Sequence, residues 1–342
     1  MNFLSDNAYG AAPEFLAALA EANAGPAPPY GVDEITARVQ RRLCEIFERE
    51  LAAFPVVTGT AANALALATL SPPYGAIFCH EYSHVMVDEC GAPEFFSGGA
   101  KLVAVPGAHA KLTPESVRSA LASYRGGVHS PKPSVITITQ ATERGTVYSV
   151  DEVAALAELA RAEGMALHMD GARFANALTH LGCTPADLTW KSGVDALSLG
   201  ASKNGALCAD AVIFFDPALA RDFEYRRKRA GHLLSKMRFV SAQLEPYLAE
   251  DRWLRHARSA NALARQMADG LSAIPGLRLA EPVEANEVFV EMPDTLVRKL
   301  HDEGAQFYEW QKRENGRTLI RLVLSFLTPV EHVTQFLRIA RS

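Results

Sequence analysis

Ile35, Val39, Leu43 and Ile46 recur at helical spacing behind Asp33, so residues 33–51 are expected to form an amphipathic helix capped by Asp33. The Pro-rich stretch before it, residues 25–30, reads as an extended loop. The pattern then changes to short apolar or β-branched runs at residues 54–57, 76–79, 102–105, 135–139, 166–169, 196–199 and 211–214. Helices are expected between many of them, at 60–70, 113–123 and 150–163. Strands alternating with helices define an α/β chain whose mostly parallel central sheet is covered by helices on both faces. Periodicity does not give the order of the strands.

The second part of the chain reads differently. Helices are expected at 217–231, 236–248 and 253–274, the last ended by Pro275 and Gly276. Strands at 277–279, 287–292 and 318–324 then mix with helices at 295–303 and 330–339. This predicts a smaller C-terminal α+β domain over 246–342, beside a large domain over 1–245, without a linker-like composition between them.

Composition narrows the function. The 342 residues are 49% hydrophobic and 21% charged, enough to bury a large core and too apolar for a disordered chain. Lys and Arg number 34 against 39 Asp and Glu, a net charge of −5 with no basic block, which disfavours nucleic-acid and membrane-surface partners. Cys44, Cys79, Cys90, Cys183 and Cys208 are scattered, odd in number and free of a C-x-x-C pair. Neither a disulfide framework nor a cysteine zinc site is expected, and a reducing cytoplasm is the expected compartment. The first residues lack a basic n-region, and no apolar run approaches a membrane span, so neither a signal peptide nor a membrane helix is expected.

Several segments carry candidate chemistry. In His168-Met169-Asp170-Gly171-Ala172-Arg173 an apolar strand ends in a carboxylate, a glycine turn and an arginine. Ligands of open parallel sheets bind beyond the carboxyl ends of strands, where such a carboxylate can hold a heterocyclic nitrogen protonated. Asp170 read alone is equally a helix cap. Ser202-Lys203 follows another strand on a small-residue loop. A partly desolvated lysine there is a Schiff-base nucleophile, and in isolation it is equally a solvated loop residue. Thr58-Gly59-Thr60 is a strand–turn–helix whose free N–H groups can bind an anion, or an ordinary threonine cap. Arg321, inside the apolar run 319–324, needs an anion. A substrate carboxylate or a structural ion pair both satisfy it. His80-Glu81-Tyr82-Ser83-His84 matches the H-E-x-x-H zinc pattern literally, but follows a predicted strand where a loop is expected.

Taken in order, these segments resemble the L-threonine aldolase family of fold-type I pyridoxal-phosphate enzymes. Ser5-Asp6-Asn7 resembles its S-D-T/N signature, Tyr30-Gly31-x-Asp33 its Y-G-x-D, and Thr58-Gly59-Thr60 its phosphate loop. Ser83-His84 with Glu89-Cys90-Gly91-Ala92 resembles S-H…E-x-G-A. The 168–173 segment resembles H-x-D-G-A-R, Ser202-Lys203 the S-K pair, and Ile320-Arg321-Leu322-Val323 the terminal I-R-L/F-V. Two segments depart from the commoner members: their E-N-T-H reads Gln140-Ala141-Thr142-Glu143 here, and their G-G-G-M-R reads Leu234-Ser235-Lys236-Met237-Arg238. The departures resemble the low-specificity and phenylserine-cleaving bacterial branch.

The resemblance implies a lyase that uses pyridoxal 5'-phosphate to cleave the Cα–Cβ bond of L-threonine, L-allo-threonine or phenylserine, giving glycine and an aldehyde. It implies that Lys203 carries the cofactor, Asp170 pairs with the ring nitrogen and His84 stacks on the ring. Gly59, Thr60, Ser202 and Arg238 belong to the cofactor site, and Arg173 touches cofactor or substrate. Ser5, Tyr30, His129, Arg173 and Arg321 are the implied substrate contacts. His129, just before the fourth expected strand, is the first candidate for the base at the β-hydroxyl, with His84 or a water as alternatives. A homodimer or homotetramer is implied, with no metal. Competing readings are another fold-type I chemistry (β-elimination, racemisation or transamination), a cofactor-binding protein without catalysis, and, remotely, a zinc hydrolase through His80 and His84.

Overall fold

The computed structural model describes residues 1–124 and 126–342. Seven strands form the large sheet: β1 (Ala52–Val56), β2 (Gly75–His80), β3 (Lys101–Val105), β4 (Lys132–Thr139), β5 (Ala166–Gly171), β6 (Ala196–Gly200) and β7 (Asp210–Phe214). Their spatial order is β1-β7-β6-β5-β4-β2-β3. Every pairing is parallel except those of β7, which runs antiparallel to both β1 and β6. The expected α/β layering is what the chain adopts. β2 and β7 are buried along their whole length, as a sheet covered on both faces requires.

A second sheet is entirely antiparallel, in the order β10-β11-β9-β8, from β8 (Arg278–Leu279), β9 (Glu287–Pro293), β10 (Tyr308–Arg313) and β11 (Arg317–Val323). Its apolar face packs on the helices Arg252–Ser272 and Val330–Arg341 through Met267, Leu271, Val290, Leu322 and Phe336. The helix Arg252–Ser272 belongs to both cores, since Trp253 and Ala257 pack in the large one. The N-terminal segment crosses to the small core, where Phe3 is fully buried. Backbone bonds hold it there: Phe3 N–H to Gln306 at 2.8 Å and Val323 N–H to Phe3 at 2.9 Å.

Differences from the expected elements are local. The helix expected over 33–51 spans only Glu34–Ile46, because Glu48 takes a left-handed φ of 58° and turns the chain towards β1. The helix expected over 217–231 is a 3₁₀ turn, Pro217–Ala220, and a separate helix, Phe223–Arg229. Asp216 ends the preceding strand by capping Ala218 N–H. The expectations contained no β10 and no helix at Phe174–Leu181. β10 is an exposed edge strand, so neither face imposes an apolar alternation.

The carboxyl ends of β5 and β6 approach unusually closely. A Cβ on Gly200 would lie 2.7 Å from both Cα and the carbonyl oxygen of Ala172, and one on Gly171 would lie 2.8 Å from Ser198 O. Gly200→Ala is expected to force these ends apart and to lower stability by about 2 kcal/mol, as overpacking typically does. Urea unfolding would check it; an unchanged midpoint would mean that the ends are not held in contact.

Candidate active site

A cavity of about 590 Å³ opens where the strands of the large sheet end, roofed by the small sheet and the N-terminal segment. Lys203 enters it from a short 3₁₀ turn, Ser202–Asn204, after β6. That turn is pinned on both sides. Asp210 Oδ1 accepts the N–H groups of Ala201 at 2.8 Å and Ser202 at 3.2 Å, and Oδ2 accepts the Ser202 hydroxyl at 3.2 Å. Asn204 Nδ2 donates to Trp253 O at 2.8 Å, and Asn204 O meets His256 Nδ1 at 3.0 Å. Gly205 closes the turn at φ 118°, where a side chain would also strike Phe15 and Phe326. A flexible amine thus rises from a rigid base.

Asp170, at the end of β5, shares the lining. Its Oδ1 accepts from Ala172 N–H at 3.0 Å and its Oδ2 from Asn63 Nδ2 at 2.7 Å. Asn63 is buried in the helix Gly59–Leu70 and donates at 2.8 Å to Glu89 as well. Glu89 Oε1 also meets His84 Nδ1 at 2.8 Å. His84, Glu89, Asn63 and Asp170 form one polar chain. The Glu89 hydrogen bond raises the His84 pKa above its ordinary value, against the opposing effect of burial. Burial raises that of Glu89.

The helix Gly59–Leu70 starts at the cavity. Thr58 caps it, accepting Ala61 N–H at 3.1 Å, and this leaves the first-turn N–H groups of Gly59 and Thr60 available beside the lining. The threonine cap is thus observed, and it is compatible with an anion site at the same helix end.

Across the cavity two arginines alternate with two carboxylates. Arg173 Nε donates to Asp6 at 2.9 Å, and its Nη1 lies 3.4 Å from Glu287. Arg321 Nη1 lies 3.8 Å from the other Glu287 oxygen. Burial opposes the Arg173 charge, but Asp6 and Glu287 outweigh it and hold its pKa above the ordinary range. Burial likewise opposes ionisation of Asp6, and Arg173 and Lys203 together bring its pKa below the usual value. Arg321 is half-buried, lies over the rings of Tyr308 and Trp310 at 5.0 Å, and keeps a buried Nε without a partner among the described residues.

With this geometry in view, the relatives are informative. The family model described as Beta-eliminating lyase matches residues 2–295. The chain belongs to the beta-eliminating lyase family. It is 46% identical over 336 residues to a low specificity L-threonine aldolase of Pseudomonas aeruginosa, covering 98% of this chain and 96% of that one. It is 48% identical over 306 residues to the low specificity L-threonine aldolase of a Pseudomonas species, covering 90% and 88%. In structure it is similar to the threonine aldolase of Leishmania major, with a TM-score of 0.94, 27% identity, and 99% and 98% of the two chains covered. A serine palmitoyltransferase of Sphingomonas wittichii, 16% identical with a TM-score of 0.72 over 100% and 86% of the chains, shares the fold. The architecture is that of the fold-type I pyridoxal-phosphate enzymes, as the sequence motifs implied.

Of the site residues expected from sequence, Ser5, Gly59, Thr60, His84, Asp170, Arg173, Ser202, Lys203 and Arg321 line this one cavity. Three do not. His129 lies exposed in a turn before β4, whereas the cavity receives Thr139 from the opposite end of that strand. At about 3.3 Å per residue the strand alone separates the two by roughly 20 Å, so His129 does not reach the site of its own chain. Its expected role as base therefore has no support from the cavity of its own chain. Tyr30 is exposed, with φ 60° and its N–H on Ser235 O. Arg238 starts the helix Arg238–Leu248 and donates to Gly25 O at 3.2 Å, outside the cavity. The zinc pattern dissolves: His80 ends β2 with Nε2 at 3.0 Å from Gly107 O, while His84 starts a separate helix, His84–Val87, so the two never share a helical face.

Sequence reasoning missed Asn63, Glu143, Asp210, Glu287 and Trp310. Asn63 was findable, since an amide inside the small apolar helix Gly59–Leu70 is buried and needs partners. Trp310 was not, because it rides on the edge strand.

Glu89→Gln is expected to remove the charge that favours His84 protonation and to move the His84 titration to lower pH, as NMR of the imidazole would read. In the wild type, stability from the His84 proton is complete below its unfolded pKa near 6.5 and fades as pH rises through the higher folded value. The variant should lack that alkaline loss; an unmoved His84 titration would show the pair to be uncoupled.

Proposed function

We propose that this protein is a pyridoxal-phosphate-dependent aldolase that cleaves L-β-hydroxy-α-amino acids, L-threonine, L-allo-threonine and phenylserine among them, to glycine and an aldehyde. The observation that carries the reading is the meeting of Lys203, Asp170, the N-terminus of the helix Gly59–Leu70 and Arg321 in one cavity. The names of its relatives support the same reaction.

The residues fit the cofactor on their own chemistry. Asp170 presents a carboxylate backed by Asn63, suited to a protonated ring nitrogen. Free N–H groups at Gly59 and Thr60 suit a phosphate, with the Ser202 hydroxyl on the same lining. Lys203 supplies the amine that holds the cofactor's aldehyde carbon. Bound there, the cofactor supplies an electron sink for the pair released when a bond at Cα breaks.

The chain's own groups then decide which bond that is. Arg321 holds the substrate carboxylate through its guanidinium, and Ser5 faces it from the N-terminal segment. Arg173, already paired with Asp6 and Glu287, fixes the floor of that clamp. Clamping the carboxylate sets the rotation about Cα and aligns Cα–Cβ for cleavage, a positioning effect. His84, oriented by Glu89, would stack on the ring of the bound cofactor. Trp310 and Tyr82 give the cavity an aromatic wall for the β-substituent.

The assembly we propose is a homodimer or homotetramer in the cytoplasm. No helix among the described residues is long and apolar enough to cross a membrane. Tyr30 and Arg238, which miss their own cavity, act at that of a neighbouring subunit in this reading.

Lys203→Ala is expected to abolish the visible absorbance of the cofactor–lysine linkage and the release of aldehyde; cleavage at the wild-type rate would sink the reading. Product analysis separates it from β-elimination, which would give pyruvate and ammonia in place of glycine and aldehyde. Arg321→Ala should raise the KM for threonine by roughly 30-fold, the equivalent of a charge-assisted contact worth about 2 kcal/mol. An unchanged KM would remove Arg321 from the clamp. Mixing Lys203→Ala with Arg238→Ala subunits should restore activity beyond either alone, and failure to complement would confine both roles to one chain.

A further inference from the structure

The proposed reaction needs a group that takes the β-hydroxyl proton, and His129 does not line the cavity of its own chain. Glu143 follows β4 and lines the cavity. Its loop is anchored: Gln140 exchanges bonds with Tyr148, Nε2 to O at 2.8 Å and N–H to Oε1 at 3.0 Å. Glu143 Oε1 accepts the His84 backbone N–H at 2.7 Å and the Thr139 hydroxyl at 2.8 Å. Both bonds use the same oxygen. The second oxygen, Oε2, is buried and has no partner among the described residues. Both Asp170 oxygens accept from Asn63 and Ala172, His84 Nδ1 meets Glu89, and the two Glu287 oxygens, also without a hydrogen-bond donor among the described residues, lie 3.4 and 3.8 Å from Arg173 and Arg321.

Resting on the aldolase reading, we propose that Glu143 is the catalytic proton acceptor for the substrate's β-hydroxyl, with Oε2 as the accepting atom. As the hydroxyl O–H bond breaks, its proton passes to Oε2 and its electron pair closes the carbonyl of the departing aldehyde. The Cα–Cβ electron pair, for which the bound cofactor would be the sink, ends in a new bond to a proton at Cα, giving glycine. One proton leaves oxygen, one arrives at carbon, and nothing is oxidised or reduced.

The electrostatics agree. Burial pushes the Glu143 carboxyl up to about 7; the Thr139 bond opposes this, and the nearby Asp170 charge adds to it. The other groups that face it are Arg173, whose charge it supports, and Cys79 and Tyr148, both held protonated chiefly by burial. The neighbouring Arg144 turns away, onto Tyr82, Phe289 and Trp310. A carboxyl that titrates near neutrality both accepts and returns a proton at working pH.

The test uses Glu143→Gln in the full-length holoenzyme, read in two reactions. Cleavage of threonine needs the β-hydroxyl base; exchange of the α-proton of glycine with deuterium oxide does not. The variant is expected to lose roughly 100-fold or more in kcat for cleavage, the usual worth of a general base, and to keep glycine exchange and cofactor absorbance. Difference infrared spectra of the cofactor-free protein should show a protonated-carboxyl band that titrates near pH 7 in the wild type and is absent from the variant. Cleavage close to the wild-type rate, or equal loss of both reactions, would overturn the assignment. Should the variant not fold, the wild type decides: its cleavage rate, but not its glycine exchange, must fall below the pH at which the infrared band titrates, and a limb elsewhere overturns the proposal. A wild type that exchanges glycine yet releases no aldehyde would instead bring down the aldolase reading beneath it.

Discussion

Four alternating charges, two buried carboxylates and two partly buried arginines, hold the two halves of the molecule in register across the cavity. Arg173 comes from the large sheet, Glu287 and Arg321 from the small one, and Asp6 from the segment that joins them. Each would be costly alone in an apolar interior, and each is tolerable because its neighbours carry the opposite sign. The alternation fixes where the roof of the site lies over its floor. Since Glu287 is shared between two guanidinium groups, the outer one retains donor capacity for a ligand. The ions that neutralise one another therefore also line the cavity.

The second constraint is the closeness of β5 and β6. Asp170 and Lys203 lie far apart in sequence, yet the strands that carry them pair directly in parallel. Gly171 and Gly200 permit that approach, and Asp210, on the antiparallel β7, reaches back to hold the turn beneath the lysine. The one strand that breaks the parallel pattern thus serves the nucleophile's loop.

Most of the fold was legible in the chain because its strands are buried on both faces and read as unbroken apolar runs between helices. The small domain's mixed character was legible from the same contrast. Helix ends were not, as Glu48 and Asp216 show, because single residues with unusual backbone angles or capping side chains decide them. Within the site, motif residues on strand ends were placed together correctly, whereas His129 failed because adjacency to a strand does not say which end of it faces the ligand. Tyr30 and Arg238 likewise lie outside the cavity of their own chain, because a motif does not record where its residues meet in space. The carboxylates Glu143 and Glu287 left no periodic signal, since what makes them special is partners distant in sequence.

The aromatic wall at Trp310 sits on the outermost strand of the small sheet, a strand exposed at all six of its positions. Neither hydrophobic core depends on it. Substitutions there can reshape the pocket that meets the aldehyde portion while folding energy stays nearly constant. A cavity floor locked by ion pairs is thus joined to an edge-strand wall that evolution can revise cheaply.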